Sequence, residues 1–292
     1  MKIQAFALIT AMIAASAFAQ PNIYVPNEFA VTIKAGESVT HVVEDFNAEI
    51  VASYPSRRLY LLRIIPPVTS DDDEVEIELE GNRRCEASER NSQNAVADGN
   101  TQSFFVRTAP ATFTDQPAWR TIGLPKNQRP GYASAPIIAV LDTGVSLHPD
   151  IASRVRPDGA SFIIPGGPTN DVPAGLDSNG DGIVDQLAGH GTFVAGIINH
   201  IAPTCQILPV QVLDSDGVGT SFSVAAGIYY AIDMHAKVIN LSLSSPVESS
   251  AIRAAVNAAL DAGIAVVCAA GNNGGASPVF PASVPGVIAV TS

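Results

Sequence analysis

The stretch from Pro136 to Asp142 reads PIIAVLD, an unbroken run of five apolar residues that ends in a carboxylate. A strand with one wet face alternates apolar and polar residues, whereas an uninterrupted run is buried on both faces. The same pattern recurs in QILPVQVL (206–213), KVINLSL (237–243), GIAVVCAA (263–270) and GVIAV (286–290). Between these runs apolar residues return at the spacing of a helical face: Phe193, Ile197 and Ile201; Val224, Ile228 and Ile232; Ile252, Val256 and Leu260. Gly263 follows the last of these stripes, where a left-handed helix cap belongs. Buried strands alternating with helices predict an α/β domain, a parallel sheet covered on both faces.

The 292 residues are 47% hydrophobic and 15% charged, a globular composition, with a formal charge of -12. That charge argues against nucleic acid or an anionic membrane as a partner. Met1–Ala19 places Lys2 before an apolar run that ends in Ala17-Phe18-Ala19, the pattern of a cleaved secretory signal. The expected protein is therefore secreted or periplasmic, begins at Gln20 and has no membrane anchor after cleavage. Cys85, Cys205 and Cys268 are odd in number and lack metal-ligand spacing, and Cys268 sits in an apolar run that predicts a buried thiol.

Ahead of the sheet, residues 20–67 read as a small strand, helix, strand module, from FAVTIKAGES (29–38) and RLYLLRIIPP (58–67). Residues 68–115 turn polar and acidic and are expected to be a solvated connector, with at most one strand at Val75–Leu79. Residues 116–292 form the α/β domain.

Two residues carry chemistry. The strand ending at Leu141 delivers Asp142 to the carboxyl edge of the sheet, where open α/β folds place their sites. His190 stands between glycines at the start of a helix, in GHGTFVAGI (189–197). An Asp so placed holds the tautomer of a His and stabilises its imidazolium, making His190 a general base for a hydroxyl. Taken singly, Asp142 also reads as a turn carboxylate and His190 as a helix-start residue.

Together with their neighbours they resemble the subtilisin-like serine proteases. VLDTGVSLHPD (140–150) resembles that family's Asp motif, GHGTFVAGI its His motif and AAGNNG (269–274) the motif of its oxyanion Asn, and FPASVPGVIAVT (280–291) resembles the stretch that follows. The resemblance implies a three-layer subtilisin-like fold, Asp142 as orienter, His190 as base and Asn272 as oxyanion donor. It also implies a polypeptide substrate, and a monomer is expected. INLSLSSP (239–246) resembles the substrate-binding strand, with Ser242, Leu243 and Ser244 in place, although glycine is usual at Ser244 and Ser245. The amino-terminal module lies where the family carries an inhibitory prosegment, and RLYLLRI resembles that prosegment's closing strand; the other reading is a generic amino-terminal module.

The family nucleophile lies beyond the oxyanion Asn, in a Gly-Thr-Ser-x-x-x-Pro motif; no such motif follows Asn272 here. Ser221, in GVGTSFSVAAGI (217–228), precedes Asn272 and lacks the Pro, so it reads as a helix cap rather than a nucleophile, with Ser221 or Thr220 placed to accept from the first free amides of the helix. The expectation is a catalytic domain incomplete at its carboxyl end and inactive as 292 residues, or alternatively a non-catalytic binding or decoy module. No cofactor is required. In DSNGDGIVD, Asp177, Asn179, Asp181 and Asp185 with Gly182 resemble the start of a structural calcium loop, with Ala188 where the bidentate Glu belongs; the other reading is a polar surface turn.

Overall fold

The computed structural model describes residues 23–65, 71–96, 123, 135–272 and 277–291. The expected signal segment lies outside them. The amino-terminal module is built from β1 (Tyr24–Ile33), α1 (Val39–Asp45), β2 (Ala48–Tyr54), β3 (Leu59–Ile64), α2 (Asp72–Gly81) and β4 (Cys85–Val96). Its antiparallel sheet has the order β4-β1-β3-β2. Alternation sorts its two faces: Phe29, Val31, Ile33, Leu62 and Ile64 pack with Val42 of α1 and with Val75 and Leu79 of α2. Ala30, Leu59 and Leu61 turn to the opposite face and join the core of the larger domain.

This corrects two expectations. The module does not close at Pro67, because β4 pairs with β1 and completes its sheet; residues 72–81 and 85–96 of the expected connector are helix and strand. Val75–Leu79 is helix rather than strand. Val75, Ile77 and Leu79 alternate as in a strand, yet the local signals are those of a helix start. Asp71 accepts from the amides of Asp73 and Glu74, and three more acids fill the first turn, where the helix dipole favours them. Val75 and Leu79, one turn apart, are buried, and Ile77 is left 68% exposed.

The larger domain comprises β5 (Ile137–Asp142), β6 (Ala160–Ser161), α3 (His190–Ile201), β7 (Gln206–Gln211), β8 (Val218–Thr220), α4 (Ser221–Asp233), β9 (Val238–Leu241), β10 (Leu243–Ser244), α5 (Ser250–Asp261), β11 (Ala265–Ala269) and β12 (Ile288–Val290). A parallel sheet runs β12-β11-β9-β5-β7-β6, in which the five apolar runs supply all strands but β6. One face carries α3, which packs Ala195, with Ala202 just past its end, against Val140 and Ile207. The other carries α4 and α5, which pack Val224, Ile228, Ile252 and Val256 against Leu141, Leu208, Ile239 and Val266. The domain is thus a three-layer α/β fold, and the module's sheet lies on the outer side of α4 and α5.

Gly263, at φ 73°, follows α5 as expected. The stripe expected to bury α3 is not the buried one. Phe193 is 59% exposed, and α3 turns Gly191 and Ala195 inward, because the backbone of α3 comes too close to β5 for a larger side chain. A Cβ on Gly191 would stand 2.1 Å from the carbonyl oxygen of Gly144. All three cysteines are buried and free, and burial pushes the Cys268 thiol up to about 12.

Candidate active site

Asp142 is the last residue of β5 and is fully buried; His190 is the first of α3. The approach of α3 to β5 brings their side chains together, with His190 Nδ1 2.7 Å from Asp142 Oδ1. The same oxygen accepts from the amide of Thr143 at 2.8 Å. Oδ2 is buried with no hydrogen-bond partner among the described residues. An ionised carboxylate in this position fixes the Nδ1–H tautomer, so that the other ring nitrogen, Nε2, is the one able to take a proton. The His190 side chain is 15% exposed, partly open to what approaches it.

Asn272 lies just past β11, and since β5 and β11 are parallel members of one sheet it stands at the same carboxyl edge as Asp142. Ser242 precedes β10 and accepts from Asn240 Nδ2 at 3.0 Å; Leu243 is fully buried and Ser244 half-buried. β10 pairs antiparallel with the far end of β4: Leu243 faces Val96 and Ser244 faces Ala95. On its other side β4 pairs antiparallel with β8, through Gln93–Thr220, Asn94–Gly219 and Ala95–Val218. One strand of the amino-terminal module therefore lies between β8 and β10 like a bound extended peptide, in the mode by which sheets recognise peptides.

Ser221 is not near the surface. It is fully buried, donates from Oγ to Asn91 Oδ1 at 3.2 Å and accepts the amide of Ser92, also at 3.2 Å. Nor is it the helix cap. Thr220 occupies that position: its side chain accepts from the Ser223 amide, while Ser223 Oγ accepts from the Thr220 amide in a reciprocal capping box. Ser221, one residue further on, serves the contact with β4.

The four residues expected to bind calcium do not converge as a ligand set. Asp177 Oδ2 accepts from Gly182 N, Asn179 Oδ1 from Asp181 N, and Asp181 from Ile183 N and Gln186 Nε2. Asp185 turns to the amides of Ala174, Gly175 and Leu176 and to Ser215 Oγ. These donors, Ser215 first, hold its carboxyl down at about 2. Among the described residues no three of His, Cys, Asp and Glu are grouped to hold a metal ion.

Sequence reasoning missed Asn91 and Glu89, which join the module to the helices, and Asp171, a buried carboxylate between β6 and α3. Asn91 and Glu89 sit in a polar stretch with no apolar period, and Asp171 in an irregular one; no spacing marks any of them.

The subtilase family model matches residues 133–292. Thermitase of Thermoactinomyces vulgaris is 42% identical over 167 residues, 53% of this chain and 54% of that protein. Subtilisin BL of Lederbergia lenta is 40% identical over 162 residues, 52% of this chain and 54% of that protein. The chain thus spans about half the length of the curated relatives it matches. Among solved structures, fervidolysin from Fervidobacterium pennivorans, described as a keratinolytic enzyme related to subtilisin, superposes with a TM-score of 0.64 at 21% identity, covering 92% of this chain and 43% of that one. The epidermin leader peptide processing serine protease of Staphylococcus aureus gives 0.58 at 20% identity, over 92% and 69%.

Proposed function

The chain belongs to the subtilase family, and on that premise we propose that its site is that of an exported serine endopeptidase in which Asp142 orients, His190 acts as base and Asn272 stabilises the oxyanion. The observation that carries this reading is the 2.7 Å contact between His190 Nδ1 and the fully buried Asp142. In the reaction, Nε2 takes the proton of a serine hydroxyl as its oxygen attacks the peptide carbonyl. The C–N bond then breaks, the proton passes to the leaving amine, and water hydrolyses the acyl-enzyme by the same route. An oxyanion donor of the kind proposed for Asn272 is worth about 3 to 4 kcal/mol in the transition state.

β8 and β10 form the edges that hold an extended polypeptide, with Ser242, Leu243 and Ser244 on one side. The amino-terminal module is the prosegment, and it blocks the cleft with Gln93–Val96. The apolar run before Gln20, which lies outside the described residues, is the export signal. Among the described residues no helix is long and apolar enough to cross a membrane.

The 292 residues alone form no acyl-enzyme in this reading, since the family's serine motif is not among the residues after Asn272 and Ser221 is buried against β4. The test is fluorophosphonate labelling of the 292-residue chain and of the longest product its gene directs, each beside His190→Ala. We expect no label on the former; His190-dependent label, where it occurs, falls on a serine beyond Asn272. Label on Ser221, or label that survives His190→Ala, overturns the assignment.

A further inference from the structure

α3 begins without a cap of its own: the residue in the capping position is Gly189, which has no side chain to offer the orphan amides of the first turn. Those amides are nonetheless met from elsewhere. Asp171, 6% exposed, accepts the Gly189 amide on Oδ1 at 2.7 Å and the Thr192 amide on Oδ2 at 2.9 Å. Thr192 Oγ1 adds a bond to Oδ2 at 2.8 Å. The backbone of Asp171 is held in turn, its amide donating to Ser146 Oγ and its carbonyl accepting from it.

The same carboxylate reaches β5. Thr143 Oγ1 stands 3.0 Å from Asp171 Oδ1 and 3.3 Å from Asp142 Oδ1, and accepts the Gly191 amide at 3.0 Å. A hydroxyl has one proton, and the shorter contact gives it to Asp171. Asp142 Oδ1 is then left to the Thr143 amide and to His190 Nδ1. Asp171 is in this way tied both to the strand end that carries Asp142 and to the helix start that carries His190.

We propose that Asp171 is a positioning residue for the Asp142–His190 pair: it caps α3 in place of the side chain that Gly189 lacks and, through Thr143, fixes the strand end against the helix start. It touches no reacting atom. The assignment rests on the reading of Asp142 and His190 as the base pair. If Asp171 acts on the pair in this way, removing its carboxylate from the start of α3 changes the imidazole's surroundings as well as its position, and the His190 titration reads both. His200 of α3 and His148 and Asp150 of the segment after β5 line a cavity that also includes Gly189, Thr192 and Phe193.

The experiment is NMR of the full chain, following the His190 titration and its low-field Nδ1 proton in the parent, Asp171→Ala, Asp171→Asn and Asp142→Asn. Asp171→Ala is expected to lower the titration midpoint by about one pH unit and to weaken the low-field resonance. Asp171→Asn keeps an acceptor for the helix start, so it restores the resonance in part while the midpoint stays low. Should Asp171→Ala fail to fold, Asp171→Asn decides alone. A parent-like midpoint in a folded Asp171 variant makes the residue merely structural and overturns the proposal. Asp142→Asn tests the underlying pair separately: an unchanged His190 titration there sinks the base-pair reading, whatever Asp171 does.

Discussion

Asp233, the last residue of α4, meets the guanidinium of Arg57 at 2.7 Å across the boundary between the larger domain and the amino-terminal module. A carboxylate at a helix carboxyl end opposes the helix dipole, so α4 gains nothing from Asp233 by itself. The module supplies what compensates it. Tyr54 donates its hydroxyl to the second Asp233 oxygen at 2.8 Å, its ring stacks on Tyr229, and Arg57 lies over the Tyr229 ring at 5.3 Å. Burial, then the bond to Asp233, raises the Tyr54 pKa. The opposite end of α4 is also held by the module, through Asn91 and the Phe222 amide.

The Asp233 contact predicts a measurable coupling. Both side chains are about one-third exposed, which limits the worth of the pair. A double-mutant cycle of Arg57→Ala and Asp233→Ala, read by urea unfolding, is expected to give about 0.5–1 kcal/mol. A coupling of zero would mean that the contact is incidental to docking.

Asn91 is fully buried and links three groups: it accepts from Ser221 Oγ and the Phe222 amide and donates to Glu28 Oε2 at 2.9 Å. Asn91→Ala leaves all three without it and is expected to cost about 2–3 kcal/mol. Ser221→Ala, which removes a single hydroxyl, is expected to cost about 1 kcal/mol. Equal losses in denaturant titrations would contradict this ordering.

Glu89 braces the start of α5 from another unit of the fold, beside the cap residue Ser249. Its carboxylate accepts from Ser249 Oγ, the Ser250 amide and Ser250 Oγ. Glu89→Gln keeps the shape but removes the charge from the positive end of the helix, for an expected loss of about 1 kcal/mol by thermal unfolding. A larger loss in 1 M salt than in dilute buffer would contradict an electrostatic origin.

Asp185 makes stability acid-sensitive in a defined window. Its carboxyl is held at about 2 against an ordinary 3.8, so the native state favours the anion. The stabilisation is complete above about pH 4 and is lost as the pH falls through about 2. Asp185→Asn is therefore expected to be less stable than the parent at pH 5, with the two converging below pH 2. Parallel stability curves over that range would show that Asp185 contributes nothing through its charge.

The legible parts of the molecule are those whose burial is apolar. Ile137–Leu141 is buried on both faces and reads so in the sequence, and Asp142 and His190 stand in motifs whose neighbours are specific enough to name the family. The module's far boundary was not legible, because β4, CEASERNSQNAV, is held by backbone pairing and polar contacts rather than by an apolar face. Ser92 and Asn94 are buried as deeply as core residues, yet nothing in their types announces it. Phe193 misled for the opposite reason: its spacing marks a stripe, but close backbone approach at Gly191 selects a face of small residues. Asp171 was invisible because its partners come together only once β5 and α3 are in contact.

β4 belongs to two sheets at once, pairing with β1 up to Ser92 and with β8 and β10 from Gln93 onward. That continuity makes it a ruler as well as a strand. Because successive side chains point to opposite faces, deleting one residue near Arg90 would invert every side chain beyond it, putting Ala95 where Asn94 is buried. A substitution along β4 acts at its own contacts, whereas a change in its length would put the module and the groove between β8 and β10 out of register together.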